Sequence, residues 1–247
     1  MLEITKRKFF FKIKEIWFAE TPFDIDGCSS VIFYDCKNKV DALSFKRKDF
    51  PTLIIDLRKD LNTIWKNINK SSTRCCINRA KKEGIKVKLN KHHEEFYRIN
   101  QLFRKNKKLP CLSEGINFLK EYGILFIAEF NDEIIGGQVY LEDKDNVRWL
   151  LGASKRLRTT KEIARRIGDA NRLLIWEAIK YAKNKGIKEF DMGGYYIGIR
   201  EDKEQKGINF FKKSFGGKLT ARYIYRKDYS RIYKLFTGLK RFLLRKT

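Results

Sequence analysis

GINFFKKSFGG, Gly207–Gly217, combines adjacent phenylalanines and lysines with a closing pair of glycines. It follows a strand-like run, Ile187–Met192, and the turn Gly193-Gly194, and it precedes a second strand-like run, Leu219–Tyr225. The pattern predicts a short helix that glycine stops and that lies beside a strand end. In proteins that mix helices and strands, catalytic residues often lie in loops at strand ends. A lysine in such a loop can stabilise a developing oxyanion with its positive charge.

The same stretch has a plainer interpretation as an ordinary amphipathic helix. In that interpretation Phe210, Phe211 and Phe215 enter the core and the lysines stay in water. Apolar residues at helical spacing usually belong to a core, so the pattern alone leaves the catalytic and the structural interpretation open.

The order of the predicted elements places this stretch at the end of a mixed unit of helices and strands. Strands at Ile124–Phe130, Ile134–Leu141 and Val147–Ala153, separated by short polar turns, form a meander. A strongly periodic helix over Asp169–Lys185 follows and ends at Gly186. With further helices before the meander, we predict an α+β fold with one mixed central β-sheet flanked by helices.

Three regions follow from this pattern. Residues 1–51 are predicted to be a short β-rich N-terminal region, residues 52–229 the main domain, and residues 230–247 a basic amphipathic C-terminal helix. Such a helix docks on the domain, on a partner or at a membrane surface. Peripheral membrane contact through 230–247 is therefore the alternative to docking on the domain.

A formal net charge of +25 in 247 residues is the main compositional anomaly. It predicts an anionic partner, such as nucleic acid, a phosphorylated cofactor or an anionic membrane surface. Because lysine occurs along the whole chain, a lysine-rich surface that serves only solubility explains the charge equally well.

One basic segment stands between the meander and the periodic helix. Its density of cations suits phosphate groups, although a solvated basic loop is the alternative. Against a single glutamate it contains Lys155, Arg156, Arg158, Lys161, Arg165 and Arg166.

The cysteines and histidines point to a reducing compartment and away from a metal. The five cysteines are odd in number and form no CxxC pair. The two histidines, His92 and His93, are adjacent, which argues against a zinc site and against a histidine-based nucleophilic triad. No apolar run is long enough for a signal peptide or a membrane span. We therefore expect a cytoplasmic protein with no metal, with the inner face of the membrane as an alternative location.

Several of these stretches together resemble the FemAB family, the peptidoglycan-bridge aminoacyltransferases and related acyltransferase domains of GNAT fold. The strongest part is NRLLIWEAIKYAKNKGIKEFDMGG, Asn171–Gly194, followed at the right separation by Gly207–Gly217. Thr52–Leu57 with the helix after it, and STRCCINRAKKEGIKV, Ser72–Val87, agree with the family's basic helix that leads into a strand. The resemblance covers about residues 52–226 and implies a GNAT-like fold and acyl transfer.

The resemblance implies a donor site on the third strand of the meander and the helix after it. In the GNAT fold a splayed strand pairs with the amides of pantetheine, and the next helix N-terminus faces the pyrophosphate. The glycine-rich phosphate loop usual in that superfamily is absent here. The residues implied to bind acyl-CoA, with acetyl-CoA as its simplest form, are Trp149, Leu151, Gly152, Lys155, Arg156, Arg158, Lys161 and Asn171.

Catalytic roles also follow from the resemblance. Phe211 and Lys212 match the family's Phe-Lys pair near the reactive carbonyl, where Lys212 would stabilise the tetrahedral oxyanion and Phe211 would shape the donor site. Asp191, at a strand end, is a candidate to orient or deprotonate the acceptor amine, with a turn cap as its alternative role.

Acceptor binding is assigned to two further pairs of residues. Tyr195 and Tyr196 are candidates to contact the acceptor or relay a proton. Arg74 and Arg79 are candidates to bind a phosphate, with a solvated helix face as the alternative.

We expect an acyltransferase that moves an acyl group from acyl-CoA to an amine of an amino sugar or cell-envelope precursor, as a small or a lipid-linked acceptor. Aminoacyl-tRNA is the alternative donor, with a peptidoglycan precursor as acceptor. The charge of +25 favours tRNA, and the lack of the helical arm of tRNA-using relatives opposes it. A third hypothesis is a non-catalytic binder of RNA or anionic lipid. Because the family contains a duplicated GNAT unit, residues 1–51 are also predicted to be a reduced first unit.

Overall fold

The computed structural model describes residues 1–110, 115–157, 159–198, 202–235 and 237. The chain divides into two compact units, the first made of residues 1–52 and 219–247 and the second of residues 53–218. The described residues form two sheets, whereas the sequence predicted one central sheet. The α+β class itself, with mixed strands flanked by helices, is confirmed.

The first unit is built on a five-stranded sheet. Across the sheet the order is β1-β2-β3-β12-β4, with β2 and β3 parallel and the other neighbours antiparallel. Alternate side chains such as Ile16, Phe33 and Tyr225 point into one core, as the two-residue period of a strand requires. The strands are β1 (Leu2–Lys8), β2 (Phe11–Trp17), β3 (Ser30–Cys36), β4 (Lys46–Asp49) and β12 (Tyr223–Asp228).

Two details of this unit differ from the sequence-based expectation. β12 lies within the stretch expected to complete the main domain, yet it pairs with β3 and β4, where Tyr225 stands opposite Phe33. The run Val40–Phe45 has a β-like sequence but is not a strand, because Phe45 donates its N–H to the Ala42 carbonyl in a turn and Val40 donates its N–H to the Tyr225 hydroxyl. Of the predicted C-terminal helix, residues 231–235 and 237 are helical, Ser230 precedes the helix, and residues 236 and 238–247 lie outside the described residues.

The second sheet has seven strands in the order β11-β5-β10-β9-β8-β7-β6, and all of its residues except Thr52, Leu219 and Thr220 belong to the second unit. Its strands are β5 (Thr52–Asp56), β6 (Lys86–Leu89), β7 (Ile124–Phe130), β8 (Glu133–Glu142), β9 (Asn146–Ser154), β10 (Glu189–Gly194) and β11 (Lys218–Thr220). The helices of the second unit are α1 (Leu61–Asn67), a π-helical turn (Lys70–Arg74) that continues as α2 (Cys75–Lys82), α3 (His93–Asn106), α4 (Ile116–Tyr122), α5 (Lys161–Asn184) and α6 (Lys203–Lys213). The predicted meander is present as β7, β8 and β9.

The 24-residue helix α5 supplies much of the core of the second unit. Leu174, Ile175 and Ala178 are buried at helical spacing. The helix begins at Lys161 rather than at the expected Asp169, because the Thr160 side chain accepts the Ile163 N–H and caps the first turn. Several cations expected in a loop therefore lie on the first two turns of a helix.

The two parallel strands β9 and β10 share a short ladder and then separate. Their paired residues are Asn146 with Glu189, Val147 with Phe190, and Arg148 with Asp191. β9 continues to Ser154 and stays paired with β8 on its other side. Residues 149–154 of β9, all of which the structure describes, are therefore not part of the β9–β10 ladder.

The end of α6 requires glycine at one position. Gly216 has φ +81°, and a Cβ atom there would lie 2.5 Å from the Asn67 carbonyl oxygen and 2.9 Å from its carbon. We predict that Gly216→Ala lowers the free energy of unfolding by about 2 kcal/mol or more, since it combines left-handed strain with a backbone clash.

Gly207→Ala is the matched control, because nothing lies within 4 Å of a Cβ at this helical position. It is expected to raise the free energy of unfolding by about 0.5–1 kcal/mol. Urea denaturation of both variants measures the two changes. Equal effects of the two substitutions would contradict the placement of Gly216.

Candidate active site

A cleft of about 590 Å³ opens beside β9, where β10 has separated from it. Its walls come from β9, α5, α6 and the end of α3. Trp149 and Gly152 of β9, Asn171 of α5 and Phe211 of α6 line it. A groove with aromatic walls and an open strand edge can hold an extended molecule that carries amide groups.

Gly152 leaves the base of this cleft free of a side chain. A Cβ at this position would lie 3.2 Å from the Trp149 ring and 3.4 Å from the Gln138 side chain. Gln138 is buried and donates its amide N–H to the Asn171 carbonyl over 3.0 Å, which ties β8 to α5 beneath the cleft. The floor is thus fixed by backbone and buried side chains rather than by mobile surface groups.

The α6 wall is more exposed than a core helix would be. Phe215 is fully buried, Phe211 is half-buried, and Phe210 is 63% exposed and lines the cleft. The expectation that all three phenylalanines enter the core is therefore wrong for Phe210. Phe211 packs between Phe215, with ring centroids 5.5 Å apart, and Trp149, with centroids 6.1 Å apart.

Lys212 is 9% exposed and is not among the residues that line the cleft. Its Nζ donates to the Gly194 carbonyl over 2.7 Å and lies 5.7 Å from the centre of the Trp149 ring. Burial lowers the pKa of Lys212 to about 8, Asp191 opposes that shift, and Arg148 adds to it. The ammonium thus lies close to Trp149, one of the residues that form the cleft wall.

Asp191 and Arg148 form a buried ion pair at the last shared position of β9 and β10. Their side chains are 2% and 8% exposed. Asp191 also accepts the Gly193 N–H over 2.7 Å, so the turn-cap role that the sequence offered as an alternative is present. A carboxylate whose oxygens are engaged by an arginine and by a backbone N–H is suited to orientation more than to proton abstraction.

The expected donor-binding residues divide into several groups. Trp149, Gly152, Arg156 and Asn171 line the cleft. Leu151 packs against the core formed by α3, β7 and β8 instead. Lys155 donates to Glu133 over 2.9 Å.

Two donor-binding candidates remain. Lys161 is exposed at the first residue of α5. Arg158 lies outside the described residues.

Much of the basic segment is neutralised by acidic partners. Arg165 and Arg166 both donate to Glu83, at 2.7 and 3.0 Å. Arg165 and Arg79 also converge on the buried carboxylate of Asp169. The cation density that suggested a phosphate site is therefore largely an ion-pair network between α2 and α5.

The remaining acceptor candidates lie elsewhere. The Tyr196 backbone is held by Asn209, which accepts the Tyr196 N–H and donates to the Tyr196 carbonyl, and Tyr195 packs against the main core. Arg74 lines a separate pocket of about 220 Å³ with Trp65 and Cys75. The structure thus brings Phe211, Trp149, Lys212 and Asp191 together and leaves Arg74 and Arg79 apart from them.

Sequence reasoning missed Arg172. Its guanidinium lies 5.0 Å from the centre of the Phe211 ring, and it donates to the carbonyls of Ser72 and Gly168. It therefore holds the π-helical turn, α5 and the cleft wall together. The stretch Asn171–Gly194 contained Arg172, but its link to Ser72 spans 100 residues of sequence and leaves no local pattern.

No group of three or more histidine, cysteine or acidic side chains is placed to hold a metal ion in the described part of the chain. A search of the same residues found no helix long and apolar enough to cross a membrane.

The lowered pKa of Lys212 makes stability depend on pH. Its ordinary pKa is 10.5 and its folded value about 8, so the folded state loses this proton first and gains stability as pH rises between the two values. We predict that the free energy of unfolding of the wild type, relative to Lys212→Met, rises by about 2 kcal/mol from about pH 7 to about pH 9.5.

Chemical denaturation at both pH values measures this difference. Lys213→Met serves as the control, because Lys213 is exposed and its removal should leave the pH dependence unchanged. A pH-independent difference for Lys212→Met would show that Lys212 is not held in a desolvated site.

Comparisons with known proteins agree with this architecture. Residues 116–212 match the family model described as an acetyltransferase (GNAT) domain. Curated proteins gave no match to the chain. FemX is similar in structure, with a TM-score of 0.65 at 14% identity over 90% of this chain and 83% of FemX.

Two further solved structures share the fold. L-PGS from Bacillus licheniformis has a TM-score of 0.55 at 14% identity, over 85% of this chain and 72% of that chain. The C-terminal domain of a putative lysylphosphatidylglycerol synthetase from Agrobacterium fabrum has a TM-score of 0.55 at 13% identity, over 81% and 68%. The match of residues 116–212 supports acyltransferase activity. The resemblance predicted from the sequence is confirmed: the chain carries a GNAT-like domain and shares its fold with FemX.

Proposed function

We propose that this protein transfers an acyl group from acyl-CoA to the amine of an amino sugar or cell-envelope precursor. The observation that carries the proposal is the cleft at the separation of β9 and β10, with Trp149 and Phe211 in its wall and Lys212 behind them. An open strand edge offers N–H and C=O groups to the amides of a pantetheine arm. The GNAT domain match over residues 116–212 supports the same chemistry.

Donor binding would use groups on both sides of the cleft. The edge of β9 beyond Arg148 would pair with the donor amides, and Gly152 would let the donor approach the backbone. Arg156, which lines the cleft beside α5, and Lys161, at the start of that helix, would face the phosphates, where the helix dipole adds to their charge. Acyl-CoA would supply the activated carbonyl as a thioester.

Transfer would proceed by direct attack of the acceptor amine on that carbonyl. A nitrogen–carbon bond forms, the carbon–sulfur bond breaks, the thiolate leaves and takes up a proton, and the surplus amine proton passes to solvent. Lys212 would stabilise the tetrahedral oxyanion: one of its N–H groups donates to Gly194, and an ammonium has three donors. Asp191 would orient the site by fixing Arg148 and the Gly193 turn.

Aminoacyl-tRNA is the second candidate donor. The net charge of +25 supports it, as does the fold shared with FemX. The structural similarity to a putative lysylphosphatidylglycerol synthetase domain supports a lipid-linked acceptor as an alternative to a free one. Work in the cytoplasm or at the inner face of the membrane fits each of these substrates.

Purified protein should transfer label from acetyl-CoA to a panel of amino sugars and muropeptides. Gly152→Val, which fills the floor beside Trp149, should lower that transfer at least about tenfold by displacing the donor. Gly115→Val is the control for folding, because Gly115 has φ −74°, nothing lies within 4 Å of a Cβ there, and it does not line the cleft. Transfer from charged tRNA with none from acetyl-CoA would replace the donor, and transfer from neither would leave the non-catalytic alternative.

The role of Lys212 is tested with the neighbouring lysine as control. Lys212→Met should lower kcat about 100- to 1000-fold, whereas Lys213→Met, which removes an exposed charge, should leave it nearly unchanged. Because only the ammonium carries charge, kcat of the wild type should fall as pH rises through about 8, and Lys212→Arg should move that fall to higher pH. An unchanged kcat in Lys212→Met would end the catalytic role.

A further inference from the structure

The hairpin of β1 and β2 exposes two aromatic side chains at its tip. Phe9 and Phe10 form the connection between Lys8 and Phe11, which are the last cross-strand pair. Phe9 is 76% exposed and Phe10 is 79% exposed. Adjacent phenylalanines this open to solvent are costly for a protein that meets only water.

The backbone at the tip makes the choice of phenylalanine less expected still. Phe9 has φ +55°, in the left-handed region that asparagine and glycine normally occupy in two-residue hairpin turns. Turn geometry therefore does not call for an aromatic residue there. A function of the exposed Phe9 ring itself explains its presence better than turn geometry does.

Cations surround this tip. Residues 4–14 contain Lys6, Arg7, Lys8, Lys12 and Lys14 and no acidic residue. Lys6 and Lys14 pair with Glu15 and Glu3, further down the strands. Nearer the tip Arg7 stands directly opposite Lys12, and like charges in that position repel each other.

The start of the C-terminal helix extends the same surface. Tyr233 packs on Phe11 with ring centroids 5.0 Å apart, which holds the helical turn 231–235 against the hairpin. In that turn Ile232 is 65% exposed and Leu235 is 70% exposed. The exposed cations are Arg231, directly before Ile232, and Lys234, directly before Leu235. Aromatic, aliphatic and basic side chains therefore occur together within one unit.

We propose that the hairpin tip and this helical turn dock the protein on an anionic lipid surface. Phe9, Phe10, Ile232 and Leu235 would enter the boundary between headgroups and acyl chains, and the cations around them would meet anionic headgroups. RNA could stack on phenylalanine rings and pair with cations, but Ile232 and Leu235 offer no stacking face, which favours lipid. The inference uses residues of the first unit alone and does not depend on acyl transfer.

Vesicle flotation of the full chain tests the proposal. The wild type should float with phosphatidylcholine vesicles that contain about 30 mol% phosphatidylglycerol and not with phosphatidylcholine alone, and about 0.5 M salt should weaken the binding. Phe9→Asn/Phe10→Ser should weaken vesicle binding at least about tenfold, because it removes the two rings that would be buried in the lipid. Asparagine at position 9 suits the left-handed backbone of the turn.

Leu43→Ser is the matched control, because Leu43 is fully exposed in the turn before β4, the strand at the opposite edge of the sheet from β1. Vesicle binding of this variant should stay within about twofold of the wild type. Phe10→Leu keeps an apolar tip and should retain binding, which separates loss of the surface from loss of folding. Arg7→Gln/Lys12→Gln should weaken binding more than Lys46→Gln/Lys48→Gln on β4, which removes the same charge.

Several results would overturn the proposal. These are equal flotation of the wild type and the Phe9/Phe10 variant, equal binding to neutral vesicles, or no binding at all. A dimer that the same variant abolishes would assign the surface to a second copy of the chain. RNA binding that the variant abolishes, without flotation, would assign it to nucleic acid.

Discussion

The buried ion pair of Arg148 and Asp191 is the interaction on which the candidate site depends. It occupies the last position that β9 and β10 share, and beyond it the two strands separate. Removing one partner of such a pair is expensive, because the other charge is left buried without compensation. The pair therefore holds β9 and β10 together at the end of their ladder, and the cleft lies beside β9 from the next residue, Trp149, onward.

Residues on both sides of this pair take their positions from it. Trp149 follows Arg148 and lines the cleft. Asp191 accepts the Gly193 N–H, and the carbonyl of the next residue, Gly194, accepts a hydrogen bond from the Lys212 ammonium. Both charges also act on Lys212, since Asp191 opposes the lowering of its pKa and Arg148 adds to it. A buried lysine with a pKa near neutrality, beside an aromatic cleft, is the kind of group that active sites contain.

The sequence was informative where structure follows from a local period. The meander of β7, β8 and β9 and the helix α5 follow from two-residue and helical periodicity. Gly216 and Gly217 marked the end of α6, and Gly216 is required there because a side chain would clash with the Asn67 backbone. Pairings over long distances left no such pattern. β12 pairs with β3 almost 200 residues away, as between Asp228 and Ser30, and Arg172 reaches the carbonyl of Ser72.

Charge was the least reliable guide to the site. Arg79, Arg165 and Arg166 counted as phosphate ligands in the sequence pattern. The packing of α2 on α5, however, brings Asp169 to Arg79 and brings Glu83 to Arg165 and Arg166. Lys212 was expected either beside the reacting carbonyl or in water, and it is buried next to the cleft wall. The spacing of FFKK does not show how far a side chain is covered. Phe211 and Trp149, in contrast, both line the cleft, and their ring centroids lie 6.1 Å apart.

The most direct measurement is the structure of the protein bound to a thioether analogue of acetyl-CoA, which cannot be cleaved. The account predicts the pantetheine arm along the free edge of β9 between Trp149 and Asn171, with the acyl carbonyl within hydrogen-bond reach of the Lys212 ammonium. An analogue bound elsewhere, or a carbonyl that Trp149 and Phe211 still screen from Lys212, would contradict it.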